Sequence, residues 1–357
     1  MMTKARVIIV GAGINGLATA WALIRRGYQV EVFDKSAIPN PVASSYDEHR
    51  ITRHHYGDLR IYAARMPESF RLWDELFADI GARHFDPLPQ LLLERGDSGW
   101  VSASIAHLDT INIGWRDIPL DSIARDYPMI RTDGLTRAVE FSGGGALFPI
   151  RILTDLVVHL AARGVIFHQG TEVTSVDPEA GRLVANGKAH SADHIVIAAG
   201  AWVLRLLPEL APLLVPSRQA VMFLAPPPAL APLWRTAPLI LDLGDHSSCY
   251  VLPPRPGTRL KVGDHVFTRE GDPDASRTAT DADVERLMGA CRLALADFDA
   301  YTVLERKACY YTVTEDEHFV IRSIGARGTV VSACSGHGFK LAPVSGEEAA
   351  SLVDRAG

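Results

Sequence analysis

The hydrophobic pattern at the start of the chain alternates between short apolar runs and apolar positions at helical spacing. Residues 6–10 form a run of mostly β-branched side chains, residues 17–26 carry apolar side chains at helical spacing, and residues 29–33 form a second short run. Short runs rich in β-branched residues are typical of strands, and the wider spacing is typical of an amphipathic helix. The pattern therefore predicts strand, helix and strand, the order of a βαβ unit.

A glycine-rich turn joins the first strand to the helix. In Gly11, Gly13 and Gly16, the first glycine allows a tight turn, the second lets backbone approach a pyrophosphate, and the third lets the helix pack closely on the strand. Asp34 closes the second strand 23 residues after Gly11, where a carboxylate can accept hydrogen bonds from ribose hydroxyls. The unit predicts a dinucleotide site that includes Lys35, and it leaves the choice between FAD and NAD open.

Beyond this unit the chain divides into segments of two kinds. Residues 62–80 and 343–353 predict helices, residues 148–200 predict a helix followed by strands, and residues 329–333 predict a further strand. The segments between them are richer in proline turns and in strand-like runs such as 219–224. We expect an α/β fold with a discontinuous Rossmann-type domain from 1–81, 148–215 and 306–357, and a β-rich, antiparallel-sheet domain from 82–147 and 216–305.

Composition and charge narrow the expected partners. The chain has 357 residues, enough for two domains, and a formal net charge of −6 without a run of Lys or Arg. Nucleic acid and anionic membrane surfaces both attract clustered basic residues, so neither is expected to bind. No segment reaches the roughly 18 apolar residues of a membrane span. The four cysteines lack paired or metal-type spacing, so we expect no metal site and a protein of the reducing cytoplasm. The charge pattern leaves a small molecule as the expected partner.

A crowded polar segment follows the second strand. Within residues 44–57, Arg50 and Arg53 stand three positions apart, and three histidines lie around them. An arginine suits a carboxylate because its paired donors can engage both oxygens. The plain alternative is a solvated basic loop, since charge clusters are usually surface features.

Three later segments carry further candidate chemistry. Residues 307–319 surround Cys309, residues 335–340 read Ser-Gly-His-Gly-Phe-Lys, and residues 259–265 contain Lys261. Judged alone, Cys309 fits a buried free cysteine and Lys261 fits an exposed lysine on a strand. Residues 335–340 fit a glycine turn.

Together these motifs resemble the monomeric sarcosine oxidase and N-methyltryptophan oxidase family, which are D-amino acid oxidase-like flavoproteins. The resemblance runs from Gly11 to about Ala349, with the motifs in the same order. It implies FAD in the discontinuous domain and substrate in the β-rich domain. The implied activity is oxidation of a carboxylate-bearing secondary amine, such as sarcosine or another N-methyl amino acid, by a monomeric enzyme that uses dioxygen. The products would be an imine, then an aldehyde and an amine, and hydrogen peroxide.

The resemblance also implies which residues hold the cofactor. Cys309 matches the residue that forms a thioether with the flavin, whereas Cys334 is interpreted as part of the core. The turn at Gly200 fits either an ordinary strand end or a contact with FAD, and the resemblance favours the contact. The predicted cofactor residues are Gly11, Gly13, Gly16, Asp34, Lys35, Ser44, Arg50, Gly200, Cys309, Gly336, Gly338, Phe339 and Lys340.

On the substrate side, the resemblance implies that Arg53 and Lys340 bind the substrate carboxylate. Lys261 matches a lysine that activates dioxygen, because a fixed ammonium stabilises the charge that develops on superoxide. Tyr46 departs from the pattern, since the family's sarcosine oxidases have a histidine there. The residues predicted to be catalytic are Lys261, Arg50, His265, Tyr250 and Tyr311.

Several alternatives stay open at this level. The proline-rich loop at 253–258 replaces a more glycine-rich segment of sarcosine oxidase, so a cyclic imino acid of the pipecolate or piperideine carboxylate type is a second candidate substrate. A flavoprotein dehydrogenase would share the fold, but Lys261 favours direct use of oxygen. A tRNA-modifying relative would need a basic face, and the negative net charge without a run of Lys or Arg speaks against this alternative. A non-catalytic flavin-binding module would have no use for paired carboxylate-binding cations.

Overall fold

Helices and strands alternate along most of the chain. The computed structural model describes residues 5–96, 99–244, 248–332 and 334–356. Within these ranges the helices are α1 (Ile14–Arg25), α2 (Arg60–Ile80), α3 (Trp100–Thr110), α4 (Leu120–Asp126), α5 (Pro149–Ala162), α6 (Val203–Leu206), α7 (Ala231–Thr236), α8 (Asp281–Ala294) and α9 (Ala342–Ala356). Short 3-10 helices span Gly200–Trp202, Pro208–Leu210, Phe298–Ala300 and Phe339–Leu341.

The strands of the same ranges form four sheets. They are β1 (Arg6–Val10), β2 (Gln29–Phe33), β3 (Arg50–Thr52), β4 (Phe85–Pro87), β5 (Gln90–Arg95), β6 (Trp115–Asp117), β7 (Arg137–Phe141), β8 (Gly145–Leu147), β9 (Ile166–His168), β10 (Val173–Asp177), β11 (Arg182–Ala185), β12 (Lys188–Ser191), β13 (His194–Ile197), β14 (Val215–Ala225), β15 (Leu239–Gly244), β16 (Cys249–Leu252), β17 (Leu260–Gly263), β18 (Thr302–Val313), β19 (Val320–Ile324) and β20 (Gly328–Ser332).

A six-stranded sheet forms the centre of the nucleotide-type region. Its order is β19-β20-β13-β1-β2-β9, with every neighbouring pair parallel except β19 and β20. The run at 6–10 is β1, and its residues from Val7 to Val10 are buried because helices or loops cover both faces of the sheet. The predicted strand at 329–333 is β20, and Ala333 lies outside the described residues.

Helices α1, α2, α5 and α9 share one hydrophobic core with this sheet. The apolar spacing of α1 buries Leu17 and Trp21 completely. Helix α9 approaches α1 closely at Gly346, where a Cβ atom would lie 2.6 Å from the backbone of Ala18. The predicted helices at 62–80 and 343–353 are thus the main parts of α2 and α9.

An eight-stranded sheet forms the second region, in the order β18-β14-β17-β16-β15-β5-β7-β6. All neighbouring pairs are antiparallel except β15 and β5, so the sheet is mixed rather than purely antiparallel. Helix α8 packs on one face, where Leu260 and Val262 join the core, and α3 packs on the other. The expected combination of a Rossmann-type sheet with a β-rich region is confirmed.

Two strands link segments that the sequence assigns to different domains. Strand β3, from segment 1–81, pairs with β8, from segment 82–147, in a three-stranded sheet that also contains β4. Strand β18 continues unbroken across the predicted boundary at 306, and its residues 307–313 pair with β14 in the eight-stranded sheet. The division of the chain into two domains stays a prediction. No helix among the described residues is long and apolar enough to cross a membrane.

Candidate active site

A cavity opens where the parallel strands of the six-stranded sheet end. The carboxyl ends of β1, β2, β13 and β20 border it, which is the usual position of a ligand site in such a sheet. About 990 Å³ of space between its walls is free of protein atoms, and part of that space is open to solvent. Six of the predicted cofactor residues line it: Gly11, Gly13, Asp34, Lys35, Ser44 and Gly200.

The glycine turn has this shape because side chains are absent. Gly11 has a φ of +106°, and a Cβ atom there would lie 2.4 Å from the carbonyl oxygen of Ala198. A Cβ atom at Gly16 would lie 1.9 Å from the carbonyl oxygen of Gly11. At the N-terminus of α1, Gly13, Ile14 and Asn15 line the cavity, and backbone N–H groups together with the helix dipole favour a phosphate at such a position. These features fit the pyrophosphate of a dinucleotide.

We expect Gly16→Ala to reduce flavin content, because the added methyl group must push α1 away from the turn. A displaced phosphate-binding turn should weaken cofactor affinity by roughly tenfold or more, about the value of one lost charge-assisted hydrogen bond. The measurement is the ratio of flavin to protein absorbance after purification. Gly289→Ala is the matched control, since nothing lies within 4 Å of its Cβ position. Equal flavin content in both variants would contradict the steric role of Gly16.

Asp34 and Lys35 both lie at the cavity wall but differ in their contacts. The Asp34 carboxylate accepts hydrogen bonds from Ala12 N at 2.9 Å, Ser36 N at 2.9 Å and the Asn40 amide at 3.0 Å. Burial raises its pKa, and these hydrogen bonds oppose the rise. Two carboxylate oxygens can accept about four hydrogen bonds, so capacity for a hydroxyl remains. Lys35 forms an ion pair with Asp274 at 2.6 Å.

A second group of predicted residues surrounds Arg50, which lies on β3. Burial tends to lower the pKa of Arg50, but the acidic groups of Asp47, Cys309, Tyr250 and Tyr311 raise it above its usual value. The Arg50 guanidinium also donates to the Ser44 carbonyl oxygen at 2.7 Å. The fold thus brings β3, β16 and β18 together around the Arg50 guanidinium.

Strand β18 presents alternate residues to this group. Cys309 and Tyr311 lie two positions apart and therefore point to the same face, whereas Tyr310 points to the other and donates to the Ser276 carbonyl at 3.0 Å. Cys309 is a half-buried free thiol. Burial raises the pKa of Tyr311 far above its usual value, so its hydroxyl stays protonated.

The interpretation of Cys334 as a core residue is wrong. Cys334 follows β20 instead of lying within it, is only half-buried, and lines the nucleotide cavity with Ser44. The apolar strand before it ends at Ser332, and a turn over residues 335–338 follows Cys334. Burial raises the pKa of the Cys334 thiol to about 11, which keeps it a poor nucleophile near neutral pH.

Lys261 is fully buried on β17, on the opposite side of the strand from Leu260 and Val262. Its ammonium forms an ion pair with Asp47 and donates to the His49 carbonyl oxygen at 3.2 Å. Burial lowers the pKa of Lys261 to about 8, and Asp47 opposes this shift. The expectation from the pattern alone, an exposed lysine, is therefore wrong.

Arg53 and Lys340 meet at one aromatic ring. The Arg53 guanidinium lies 5.4 Å from the ring centre of Tyr56, and the Lys340 ammonium lies 5.0 Å from it. Arg53 Nη1 and Tyr56 Oη are buried and have no hydrogen-bond partner among the described residues. Burial lowers the pKa of Arg53, and burial together with the nearby Arg53 lowers the pKa of Lys340 well below its usual value. The pair is a site that an anion would complete.

His265 lies beyond the end of β17, where its side chain is exposed and forms a 3.2 Å contact with Glu317. It still borders the residues after β20. A Cβ atom at Gly336 would lie 3.1 Å from the His265 ring and 2.9 Å from Tyr311 Oη. The tight fit at Gly336, which has a φ of +76°, thus brings β17, β18 and this turn together.

Gly338 and Phe339 lie at the 3-10 helix that carries Lys340. The Phe339 ring stacks on Trp73 of α2 at 5.9 Å and packs against the hydrophobic core, and it does not line the nucleotide cavity. The Lys340 carbonyl oxygen accepts hydrogen bonds from Ser69 at 2.5 Å and Trp73 at 2.9 Å. Helix α2 thereby fixes the backbone of Lys340.

Sequence reasoning missed three residues of this site. Asp47 stands between two of the predicted cations, Tyr56 lies between the carboxylate-binding cations, and the Trp100 ring lies 5.3 Å from the Arg53 guanidinium. Asp47 and Tyr56 belong to the crowded segment 44–57, so its polar density was an available signal. No signal in the sequence indicated Trp100, because only the fold brings α3 next to this segment.

The chain is similar to known flavoproteins over almost its whole length. It matches the family profile of FAD dependent oxidoreductases (DAO) over residues 6–352. It is 29% identical to the monomeric sarcosine oxidase of Bacillus sp. (strain B-0618), over 99% of this chain and 93% of that protein. It is 26% identical to the N-methyl-L-tryptophan oxidase of Yersinia pestis (strain Pestoides F), over 96% and 93%.

Among solved structures, the chain resembles NikD, described as an unusual amino acid oxidase essential for nikkomycin biosynthesis. The TM-score is 0.81 at 22% identity, covering 99% of this chain and 94% of that chain. This likeness shows the shared fold. The profile match, the two sheets and the glycine-lined cavity all lead to one conclusion: the chain belongs to the DAO family of FAD dependent oxidoreductases.

Proposed function

We propose that this enzyme oxidises a carboxylate-bearing secondary amine, such as sarcosine or another N-methyl amino acid, and transfers the electrons to dioxygen. The observation that carries the proposal is the pair of cations at Tyr56. Arg53 Nη1 and Tyr56 Oη have no partner among the described residues, and Lys340 lies against the same ring. Buried donors of this kind are costly unless an anion pairs with them.

FAD, when bound, accepts the two electrons and the proton that leave the C–H bond next to the amine. The chain's own contribution is binding and orientation. Arg53 and Lys340 would hold the carboxylate, and fixing the substrate in this way can lower a barrier by up to ~7 to 11 kcal/mol. Tyr311 and Tyr250 keep their protons because burial raises the pKa of each hydroxyl. They can therefore donate hydrogen bonds but cannot act as bases near neutral pH.

The sarcosine and N-methyl-L-tryptophan oxidases to which the chain is similar support an N-methyl amino acid over a cyclic imino acid as substrate. The carbon oxidised would become an imine, and water would convert the imine to an aldehyde and the demethylated amine. Lys261 is the residue proposed to assist dioxygen, and hydrogen peroxide is the proposed product. A panel of N-methyl and cyclic amino acids, scored by peroxide release in air, tests this function. Reduction of the flavin by substrate without peroxide would indicate a dehydrogenase.

The enzyme is proposed to be a monomer and to be located in the cytoplasm. The name of the Bacillus relative, monomeric sarcosine oxidase, supports the first point. The second is supported by the cysteines, since Cys249, Cys291, Cys309 and Cys334 are all free. Disulfides are rare in the reducing cytoplasm, so free thiols fit that compartment.

We also propose that FAD is attached covalently through Cys309, as a thioether to its 8-methyl carbon. The S–H bond and one C–H bond of that methyl group would be lost, and the two electrons and two protons released would pass to dioxygen as hydrogen peroxide. The thiol belongs to the group around Arg50, and reactive cysteines occur in partly exposed sites next to basic groups. Cys334 lines the nucleotide cavity, but burial raises the pKa of its thiol to about 11, so it is a poor nucleophile near neutral pH.

We expect acid precipitation of the protein to leave the flavin in the pellet, because a thioether survives denaturation. In Cys309→Ser the flavin should appear in the supernatant, whereas Cys334→Ser, the matched control, should keep it in the pellet. The measurement is flavin absorbance in the two fractions. Flavin in the supernatant of a fully loaded wild-type preparation would contradict the covalent bond and leave the fold assignment intact.

A further inference from the structure

One carboxylate lies between a buried lysine and a half-buried arginine at the centre of the site. Asp47 forms an ion pair with Lys261 and a second with Arg50, whose Nη2 lies 3.1 Å from Asp47 Oδ2. The side chain of Asp47 is 3% exposed and that of Lys261 is 1% exposed. Asp47 joins segment 44–50 to β17 across 214 residues of sequence.

Among the residues that the structure describes, Asp47 is the carboxylate paired with the Lys261 ammonium. The other titratable groups that act on the ammonium or on Asp47 are His49 and Arg50 from the same segment, Tyr250 from β16, and Lys307 and Cys309 from β18. Burial lowers the pKa of His49 to about 3, so this imidazole is neutral and cannot balance a charge. Glu48, the adjacent acid, points elsewhere and pairs with Arg259 at 2.6 Å.

A buried lysine without a partner loses its proton readily, because water no longer stabilises the ammonium. Burial tends to raise the pKa of Asp47, yet Lys261 and Arg50 hold it well below its usual value, so its charge persists throughout the working pH range. That fixed negative charge opposes the loss of the proton from Lys261. It also leaves a net positive charge on the three groups, since two cations share one anion.

We propose that Asp47 is a positioning residue for the reaction with dioxygen, holding the Lys261 ammonium beside the Arg50 guanidinium and keeping it charged in a fully buried site. The inference rests on the proposed role of Lys261. It assigns a function to a residue that does not itself contact dioxygen, and it predicts that oxygen use depends on pH through this pair.

The first test is the pH profile of the reaction between dioxygen and the substrate-reduced holoenzyme, followed by stopped flow. Lys261 is charged below its pKa of about 8, so the wild-type rate should be high below that pH and fall as pH rises through it. In Asp47→Asn the fall should begin roughly 1 to 3 pH units lower, the usual effect of one adjacent charge on a pKa. At a pH above both inflections, the variant should react more slowly than wild type. The difference in rate should be about tenfold for each pH unit between the two inflections.

The second test does not depend on activity and uses the thermal midpoint of the flavin-containing protein. The folded pKa of Lys261, about 8, lies below the unfolded value of about 10.4, so its contribution to stability rises with pH between these values. In Asp47→Asn this rise should begin lower, near pH 6 if the loss of the carboxylate lowers the pKa of Lys261 by about 2. The deficit in midpoint relative to wild type should therefore shrink as pH increases from about 6 to 8. A pH-independent deficit would indicate a structural role only.

Control variants separate the possible outcomes. Glu48→Gln removes the neighbouring carboxylate and should leave the inflection unchanged, whereas Asp47→Glu should restore it in part. An Asp47→Asn profile identical to that of wild type would overturn the inference while leaving the proposed function intact. If Lys261→Met reacts normally with dioxygen, the role of Lys261 fails and the inference fails with it.

If Asp47→Asn does not fold, the double variant Asp47→Asn/Lys261→Met replaces it. The double variant has no unpaired ammonium, so it should fold and bind flavin where the single variant does not. Failure of both to fold would overturn the inference, because the defect would then come from the loss of Asp47 itself.

Discussion

Lys261→Met should slow reoxidation of the reduced enzyme by dioxygen by about 100- to 1,000-fold, the loss typical of removing one preorganised charge-stabilising group. Methionine fills similar space on β17 without the ammonium, so Leu260 and Val262 can keep their packing. Reduction by substrate in the absence of oxygen should change far less, because Arg53 and Lys340 are untouched. Stopped-flow absorbance measures the two half-reactions separately.

The control for this prediction is Lys307→Met. Lys307 is the lysine on neighbouring β18, and its ammonium donates to the Tyr46 carbonyl oxygen at 3.0 Å instead of pairing with Asp47. Its replacement should leave the oxygen reaction within severalfold of wild type. Equal losses in both half-reactions of Lys261→Met would mean that the variant disturbs the whole site, and the specific role in oxygen use would be wrong.

Elements that depend on residues close together in sequence could be predicted. Strands β1 and β2 have the predicted bounds, because β-branched runs and the glycine turn encode a strand locally. The helix between them begins at Ile14 and not near Leu17, since its first turn contains Asn15 and Gly16, which carry no apolar signal. Local pattern thus predicts that an element exists more reliably than it predicts where the element begins.

The electrostatics of the site could not be predicted from the pattern. The burial of Lys261 depends on Asp47, which lies 214 positions away, and a lysine on a strand is normally exposed. The apolar strand before Cys334 indicates a core residue, but Cys334 lies beyond the end of that strand and lines the cavity. Contacts between distant segments decide both cases, and a hydrophobic pattern contains no information about them.

Arg53→Ala should weaken binding of carboxylate ligands much more than it changes the flavin spectrum. Each charge-assisted hydrogen bond lost contributes about 1.5 to 3 kcal/mol, which corresponds to roughly 10- to 150-fold in dissociation constant. Arg53 also touches the rings of Tyr56 and Trp100 at 5.4 and 5.3 Å, so its guanidinium is already oriented before a ligand arrives. The loss should therefore lie near the upper end of that range. Spectral titration with a non-oxidisable carboxylate measures it directly.

A plain secondary amine provides the matched chemical control, because it lacks the group that Arg53 and Lys340 would bind. Wild-type enzyme should turn over such an amine far more slowly than the corresponding amino acid, and Arg53→Ala should narrow that difference. The cause is that an amine leaves the two buried cations unpaired, whereas a carboxylate offsets their burial and raises the lowered pKa of Lys340. If the amine and the amino acid react equally well with the wild-type enzyme, the carboxylate is not the anchor, and the cations at Tyr56 must have another role.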